Sequence, residues 1–316
     1  MKILDDYFKD CQVVLIDIET TGLVSYKNKV ILGGLLTLNQ DSPELLQFFA
    51  ESRADEKLLL KAYIPYLLKA DIIISYNGEA FDLPFINKRL ERQGFSERIP
   101  QYKSFDLYKL LKNSSFSKIL PNLRQKTVED YLGVSAARTD AVSGKECIAR
   151  YQDYQKTGNA ELKDAILLHN RDDLHQLHSL MALLKQLDLH EAMYHNGFTV
   201  TAQGSKLAID KIHFGKTAII AEGYHHGRAR ETFAYSSAYT ARLALENSAV
   251  LIEIPFFSEA NHAFVDLTEF NFSPQEFEKY PGYQHGYLVV KRSSQICHAE
   301  INQLIRRICR ELLSDI

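Results

Sequence analysis

Several features are missing from this sequence, and each absence closes off a class of protein. No apolar run approaches the roughly 20 residues that a membrane-spanning helix needs. The start, Met1-Lys2-Ile3-Leu4-Asp5-Asp6, puts acids where a signal peptide would carry its apolar stretch, so a cytoplasmic location is the expectation. The four cysteines (Cys11, Cys147, Cys297 and Cys309) include no Cys-x-x-Cys pair. Neither a zinc site nor a disulfide framework is suggested, and free thiols in a reducing compartment are the simpler reading. No segment repeats and none is of low complexity. An excess of positive charge is missing as well: the formal net charge is −3, without the basic balance of proteins that hold long duplexes by neutralising phosphates. Extensive duplex binding is therefore disfavoured. Gripping one strand end is not, because a bound metal ion can supply the central positive charge.

What is present is the apolar and charged balance of a globular chain, and 316 residues suffice for one large domain or two modest ones. Short β-branched runs at 12–18, 30–38 and 45–49 predict three closely connected, antiparallel strands. Helical spacing follows over 54–70, then a strand at 71–76 and a helix at 83–93 with Pro84 in its first turn. Further helices are expected around 106–111 and 123–132, and a long one from 160 to 187. This order describes an α/β domain over residues 1–195, with helices on both faces of a mixed sheet. Beyond Asn196-Gly197 the pattern alternates at 198–201, 218–222, 232–235, 250–254 and 287–290, and an amphipathic helix closes the chain at 299–313. A smaller α+β domain over residues 196–316 is the expectation.

Acidic residues stand where the core elements of the first domain end. Asp17 and Glu19 are two apart on the first strand, so both leave the same face of the sheet. Two carboxylates so placed repel each other and are costly to desolvate, a conflict that a divalent cation removes. Asp82 follows the next core strand in Ser75-Tyr76-Asn77-Gly78-Glu79-Ala80-Phe81-Asp82, where Gly78 permits a tight turn. On the long helix His169 and Asp173 are four apart and share a face. Converging, three Asp and one Glu would supply hard oxygen ligands for two divalent cations, Mg²⁺ or Mn²⁺. Two such ions stabilise the attacking and leaving oxygens of an in-line phosphoryl displacement. In that arrangement Asp17 bridges both ions, Glu19 and Asp173 bind the first, and Asp82 reaches the second directly or through water. His169 takes a proton from the attacking water.

Asp17-Ile18-Glu19-Thr20-Thr21-Gly22-Leu23 resembles the first exonuclease motif of the DEDD (DnaQ-like) superfamily. Tyr76-Asn77-Gly78 with Phe81-Asp82-Leu83-Pro84 resembles the second, and His169-Asn170 with Asp173-Leu174 the third. Order and spacing are most similar to the YprB-type ribonuclease-H-like branch over roughly residues 10–190. The resemblance implies a ribonuclease-H-like fold and 3′→5′ exonuclease activity on the 3′ end of DNA or RNA; DNA is the favoured expectation, and no membrane partner is expected. A monomer is the expectation, with a helicase or repair protein as a candidate partner. The resemblance further implies that Thr20, Thr21, Gly22, Leu23, Asn77 and Phe81 line the pocket for the terminal nucleotide. The superfamily's subclasses carry Tyr-x-x-x-Asp or His-x-x-x-x-Asp, whereas this chain has His at the Tyr spacing. The water-orienting group, and the choice between Asp172 and Asp173, stay open. An RNA-trimming ribonuclease and a non-catalytic nucleic-acid-binding module on the same fold are the alternatives. Asp106 is expected to act as a structural residue or helix cap.

In the second domain, six Lys or Arg (206, 211, 216, 228, 230 and 242) face three acids (210, 222 and 231) between residues 196 and 242. Phe214, Tyr224, Phe233, Tyr235 and Tyr239 are interleaved with them. A polar hairpin with its aromatics in the core is the simpler expectation. A strand-guiding surface of basic and stacking side chains is the alternative.

Overall fold

Val13–Thr20 (β1) carries apolar residues on both sides, which a strand does when helices cover both faces of its sheet. The computed structural model, which describes residues 7–8, 11–38, 43–135, 142–226, 232–244 and 248–314, places it centrally. Val30–Thr37 (β2) and Glu44–Phe49 (β3) continue it as an antiparallel meander on one side. Ile72–Ser75 (β4) and Ser104–Asp106 (β5) extend it in parallel on the other, giving the order β3-β2-β1-β4-β5. Val14, Ile16 and Ile18 point to one face. There they bury against Leu60, Tyr63 and Leu67 of α1 (Glu56–Lys69) and Leu83, Ile86 and Leu90 of α2 (Asp82–Gln93). At about 1.5–3 kcal/mol for each large side chain removed from water, this layer dominates the stability of the sheet.

Later in the chain come α3 (Leu107–Lys112), α4 (Phe116–Ile119), α5 (Gln125–Leu132), α6 (Gly144–Thr157) and α7 (Ala160–Leu180); the last two cover the opposite face, and α5 packs on α7. Of these, α6 and α7 pack on β1 and β2, through a cluster of Ile31, Leu32, Cys147, Tyr151 and Ile166. The alternation of β1 thus sends Asp17 and Glu19 toward α7 and its neighbours.

Inside the first layer lies a buried ion pair. Glu56 is fully buried and accepts from Arg89 Nε and Nη2, both at 2.7 Å. Its oxygens also accept from the Val30 amide at 2.9 Å and from Gln93 Nε2 at 2.6 Å. Arg89 Nη1 donates to the Ser25 carbonyl at 3.1 Å, fastening the loop after β1 to the same pair.

The contacts divide the chain at Leu187/Asp188, whereas the expected boundary stood at 195/196. One unit is Gln12–Leu187. The other joins the described residues of Met1–Cys11 to those of Asp188–Ile316. In it, α8 (Leu189–Asn196) precedes an antiparallel sheet of β6 (Phe198–Ala202), β7 (Ser205–Phe214), β8 (Ala218–His226), β9 (Thr232–Tyr235), β10 (Thr240–Leu243) and β11 (Ala249–Pro255). A second sheet pairs β12 (Phe257–Glu259), β13 (His262–Asp266), β14 (Tyr283–Gln284), β15 (Tyr287–Arg292) and β16 (Gln295–Ile296). The closing helix α9 (His298–Ser314) buries Ile301, Leu304, Ile305 and Ile308 along one stripe. Tyr7 belongs here: its hydroxyl meets His190 Nδ1 at 2.8 Å and accepts from Asn302 Nδ2 at 2.9 Å, and Arg306 lies over its ring. None of the described helices is long and apolar enough to cross a membrane.

Two sequence expectations need correction, and one helix lay outside them. The long helix ends at Leu180, and Met181–Lys185 is a tighter 3₁₀ turn rather than its continuation to 187. Helix α6 was not foreseen, because only Cys147 and Tyr151 of its fourteen residues are buried, too few to make an apolar stripe. The aromatics of the basic stretch are not all core: Tyr239 is buried, but Tyr224, Phe233 and Tyr235 are exposed, the last by 80%. Residues 227–231, with Arg228 and Arg230, lie outside the described residues.

Candidate active site

Asp17 and Glu19 leave β1 on the face that α7 covers, and α7 returns His169 and Asp173 to them. One carboxylate oxygen from each of Asp17, Glu19 and Asp173 lies within 4.8 Å of the others. His169 Nε2 is 3.4 Å from Asp173 Oδ2 and 3.6 Å from Glu19 Oε1. Asp82, the first residue of α2, is buried and accepts from the Ile18 amide at 3.2 Å through Oδ1, so it stands beside the strand that carries the other two. It is not part of the three-oxygen group. Asp172 is buried on the same helix as Asp173, with Arg171 Nε 3.5 Å away, and does not line the cleft.

Negative charge packed this tightly has a cost that shows in the titration of the acids. Burial pushes the Asp17 carboxyl well above the usual carboxylate range; the charges of Asp173, Glu19 and Asp82 push the same way, and only the Asn170 hydrogen bond opposes them. Asp82 is raised to about 7, chiefly by burial, against the pull of the Ile18 amide and its own. All donors are hard oxygens, and a divalent cation would offset their repulsion, so the residues present suit Mg²⁺ or Mn²⁺.

Asp17 is held in place by a relay that sequence reasoning missed. Asn170 Nδ2 donates to Asp17 Oδ2 at 2.7 Å and to its carbonyl at 3.1 Å. Gln47 Nε2 from β3 in turn donates to Asn170 Oδ1 at 2.9 Å. The Asn170 side chain crosses β2 at Gly34, the residue opposite Asp17, where a Cβ would sit 2.1 Å from Oδ1. A glycine inside an apolar strand is the sequence signal for such an approach. Gly34→Ala is therefore expected to swing Asn170 off Asp17 and lower activity roughly 10- to 100-fold, as losing a partner of a metal ligand does. Initial rates would show it, while an unchanged rate would remove the relay from the mechanism.

The turn before Asp82 also departs from expectation. Asn77, not Gly78, takes the left-handed conformation, at φ 64°. Gly78 is required instead by contact, since a Cβ there would lie 2.4 Å from Ser75 Oγ. Asp106 fixes this turn by accepting from the Asn77 and Glu79 amides at 2.8 and 3.0 Å, and it caps α3 through the Tyr108 amide at 3.0 Å.

A cleft of about 700 Å³ opens over the acids. Asp17, Glu19, Asp82, His169 and Asp173 line it, together with Thr20, Leu23, Asn77 and Phe81. Thr21 and Gly22 do not line it. Thr21 Oγ1 accepts from the Lys29 amide at 3.0 Å and so closes the loop that presents Leu23. Arg124 and Lys126, at the start of α5, and Lys145, at the start of α6, give the cleft a basic wall absent from the sequence expectations. Nothing in their local pattern marked them, because the two helices had first to bring distant residues together.

The RNase H superfamily model (RNase_H_2) matches residues 14–185, and the chain belongs to that superfamily. Membership and the carboxylate cluster together support a nuclease-type hydrolase. No curated protein sequence matches the chain. Among solved structures it is similar to the family B DNA polymerase of the hyperthermophilic archaeon Pyrobaculum calidifontis, at 20% identity and a TM-score of 0.44, over 55% of this chain and 24% of that one. The chain thus spans about a quarter of the polymerase's length. It is also similar to Brucella melitensis NrnC with bound Mg²⁺ (20% identity, TM-score 0.35, 60% of this chain and 78% of that one). A third similar structure is NrnC bound to pGG (20% identity, TM-score 0.34, 58% and 77%).

Proposed function

We propose that residues 12–187 form a metal-dependent 3′→5′ exonuclease of the DEDD type, acting in the cytoplasm with DNA as its favoured substrate. The reading is carried by the three carboxylate oxygens of Asp17, Glu19 and Asp173 gathered within 4.8 Å under an open cleft, with His169 Nε2 beside them. Two divalent cations held by these acids and Asp82 would supply positive charge to the attacking and leaving oxygens. Asp173 rather than Asp172 is the last ligand, because it faces the cleft. His169, whose Nε2 stands 3.4 Å from Asp173 and 3.6 Å from Glu19, takes the proton of the attacking water, and the resulting imidazolium is stabilised by those two carboxylates. Thr20, Leu23, Asn77 and Phe81 seat the terminal nucleotide, and Thr21 with Gly22 shapes the loop between them.

Arg124, Lys126 and Lys145 would hold phosphates of the strand upstream of the scissile bond. Replacing Lys126 and Lys145 by alanine is then expected to weaken substrate binding and flatten its salt dependence by about 0.7 for each phosphate left without its lysine. Fluorescence anisotropy over a salt series reads that slope, and an unaltered slope would remove these lysines from the strand path. The reaction itself is tested by a time course on 3′- and 5′-labelled DNA and RNA, single- and double-stranded, with Mg²⁺, Mn²⁺ or EDTA. Stepwise 3′ shortening that EDTA stops is the expected result. Preferential shortening of RNA would move the substrate to a ribonuclease's, and binding without cleavage of any strand would sink the enzymatic reading.

A further inference from the structure

We propose that Glu19, Cys147 and His169 form a second metal site, selective for thiophilic divalent cations of the Zn²⁺ and Cd²⁺ kind, whose occupation shuts the nuclease centre down. One ligand atom from each (a carboxylate oxygen, Sγ and a ring nitrogen) lies within 4.8 Å of the other two, and all three residues are buried. Zn²⁺ bonds of about 2.3 Å to sulfur and 2.0–2.1 Å to nitrogen or oxygen place tetrahedral ligand atoms about 3.3–3.6 Å apart. The His169 Nε2 to Glu19 Oε1 separation is already 3.6 Å. Closing the rest of the triangle asks only for small side-chain movements. Glu19 and His169 also line the open cleft, which gives an ion and a completing water their way in.

Cys147 is delivered by a fixed element. It sits in the second turn of α6, whose first turn is closed by a reciprocal cap between Ser143 and Glu146. Tyr151, one turn further on, donates from its hydroxyl to the Ala50 carbonyl at 3.0 Å. The ordinary reading of a buried cysteine is a small apolar filler, and Ile31, Leu32 and Ile166 around Cys147 suit that role. The filler role makes no use of the carboxylate and imidazole that stand beside the sulfur.

The donor chemistry separates the two sites. Asp17, Glu19 and Asp173 offer oxygen alone, which suits Mg²⁺ and Mn²⁺. Sulfur, nitrogen and one oxygen suit Zn²⁺ or Cd²⁺, with the thiol proton released on binding. Glu19 belongs to both groups, so the sites exclude each other. Inhibition rests on the proposed roles of Glu19 and His169 in the nuclease centre; binding does not.

The test uses the full, metal-stripped chain titrated with Cd²⁺, followed by the ultraviolet thiolate-to-metal absorption. In parallel, Zn²⁺ is titrated into the Mg²⁺-supported 3′ digestion. The wild type is expected to develop the band with about one equivalent of Cd²⁺, and Cys147→Ser and Cys147→Ala to lose it, with Zn²⁺ affinity down about 100-fold. Both variants should keep Mg²⁺-supported digestion within about twofold of wild type and need at least about tenfold more Zn²⁺ to be inhibited. Glu19→Gln keeps the thiol, so its weakened Cd²⁺ binding, by about tenfold, separates this site from a reaction at Cys11, Cys297 or Cys309. A band that survives in Cys147→Ser, or Zn²⁺ affinity unchanged there and in Glu19→Gln, overturns the proposal. A Cys147-dependent band on a chain that digests nothing supports the site and defeats the exonuclease reading instead.

Discussion

Asp17→Asn is expected to lower 3′ digestion by about 1,000-fold or more while making the metal-free protein more stable. The loss follows from removing the carboxylate proposed to bridge both cations, a contribution of several kcal/mol at about 1.4 kcal/mol per tenfold in rate. The gain follows from linkage. Burial and three neighbouring acids hold Asp17 above the ordinary carboxylate range, and Asp82 moves from 3.8 to about 7. Between the ordinary and the raised values the folded chain binds more protons than the unfolded one, so stability falls as pH rises through that window. For Asp82 the window runs from about 4 to about 7. The Tm of the metal-free wild type should therefore decline across it, and Asp17→Asn should melt higher, by a margin that widens toward neutral pH. Mg²⁺ should restore the wild type but help the variant less. Thermal melts in EDTA from pH 4.5 to 8 would check this, and a variant that melts below wild type at pH 8 would rule it out.

Arg89→Ala carries the largest expected effect on stability. It strands Glu56, a fully buried carboxylate, with only the Val30 amide and Gln93 to bind it. Breaking one side of a buried pair costs about 3–5 kcal/mol, which for a chain of this size lowers Tm by roughly 10 °C. The pair itself need not be strongly stabilising, since removing both charges spares the orphaned ion. Glu56→Gln with Arg89→Met should recover most of the loss, because Gln can still accept from Val30. Denaturant melts of the single and double variants would separate the two outcomes. A single variant within about 1 kcal/mol of wild type would mean that water reaches Glu56 and relieves it.

The sheet was legible because its strands advertise themselves. Val13-Val14-Leu15-Ile16 and Ile72-Ile73-Ile74 are too apolar for anything but a doubly covered position, and the regular two-residue period then places Asp17 and Glu19 on one side. The four-residue step from His169 to Asp173 worked likewise. Features that depend on distant segments meeting stayed hidden. Nothing near Asn170 says that Gln47 will hold it, and Ser205–Phe214 was passed over because a bulge after Ile209 breaks its alternation. Cys147 read as an isolated thiol until α6 laid it beside Glu19. The cap of that helix, Ser143 with Glu146 three residues on, was in plain view as a start signal.

The place of Tyr7 has a consequence for synthesis on the ribosome. Its hydroxyl bonds the amide of Asn302, a partner 295 positions later. The Gln12–Leu187 unit has all its residues in hand long before Asn302 is made, and early units generally fold first as a chain emerges. Tyr7 must therefore wait first for His190 and then, more than a hundred positions later, for Asn302. Among the described residues it is translated ahead of every other one, and its contacts with Asn302 and Arg306 form only once the closing helix is made.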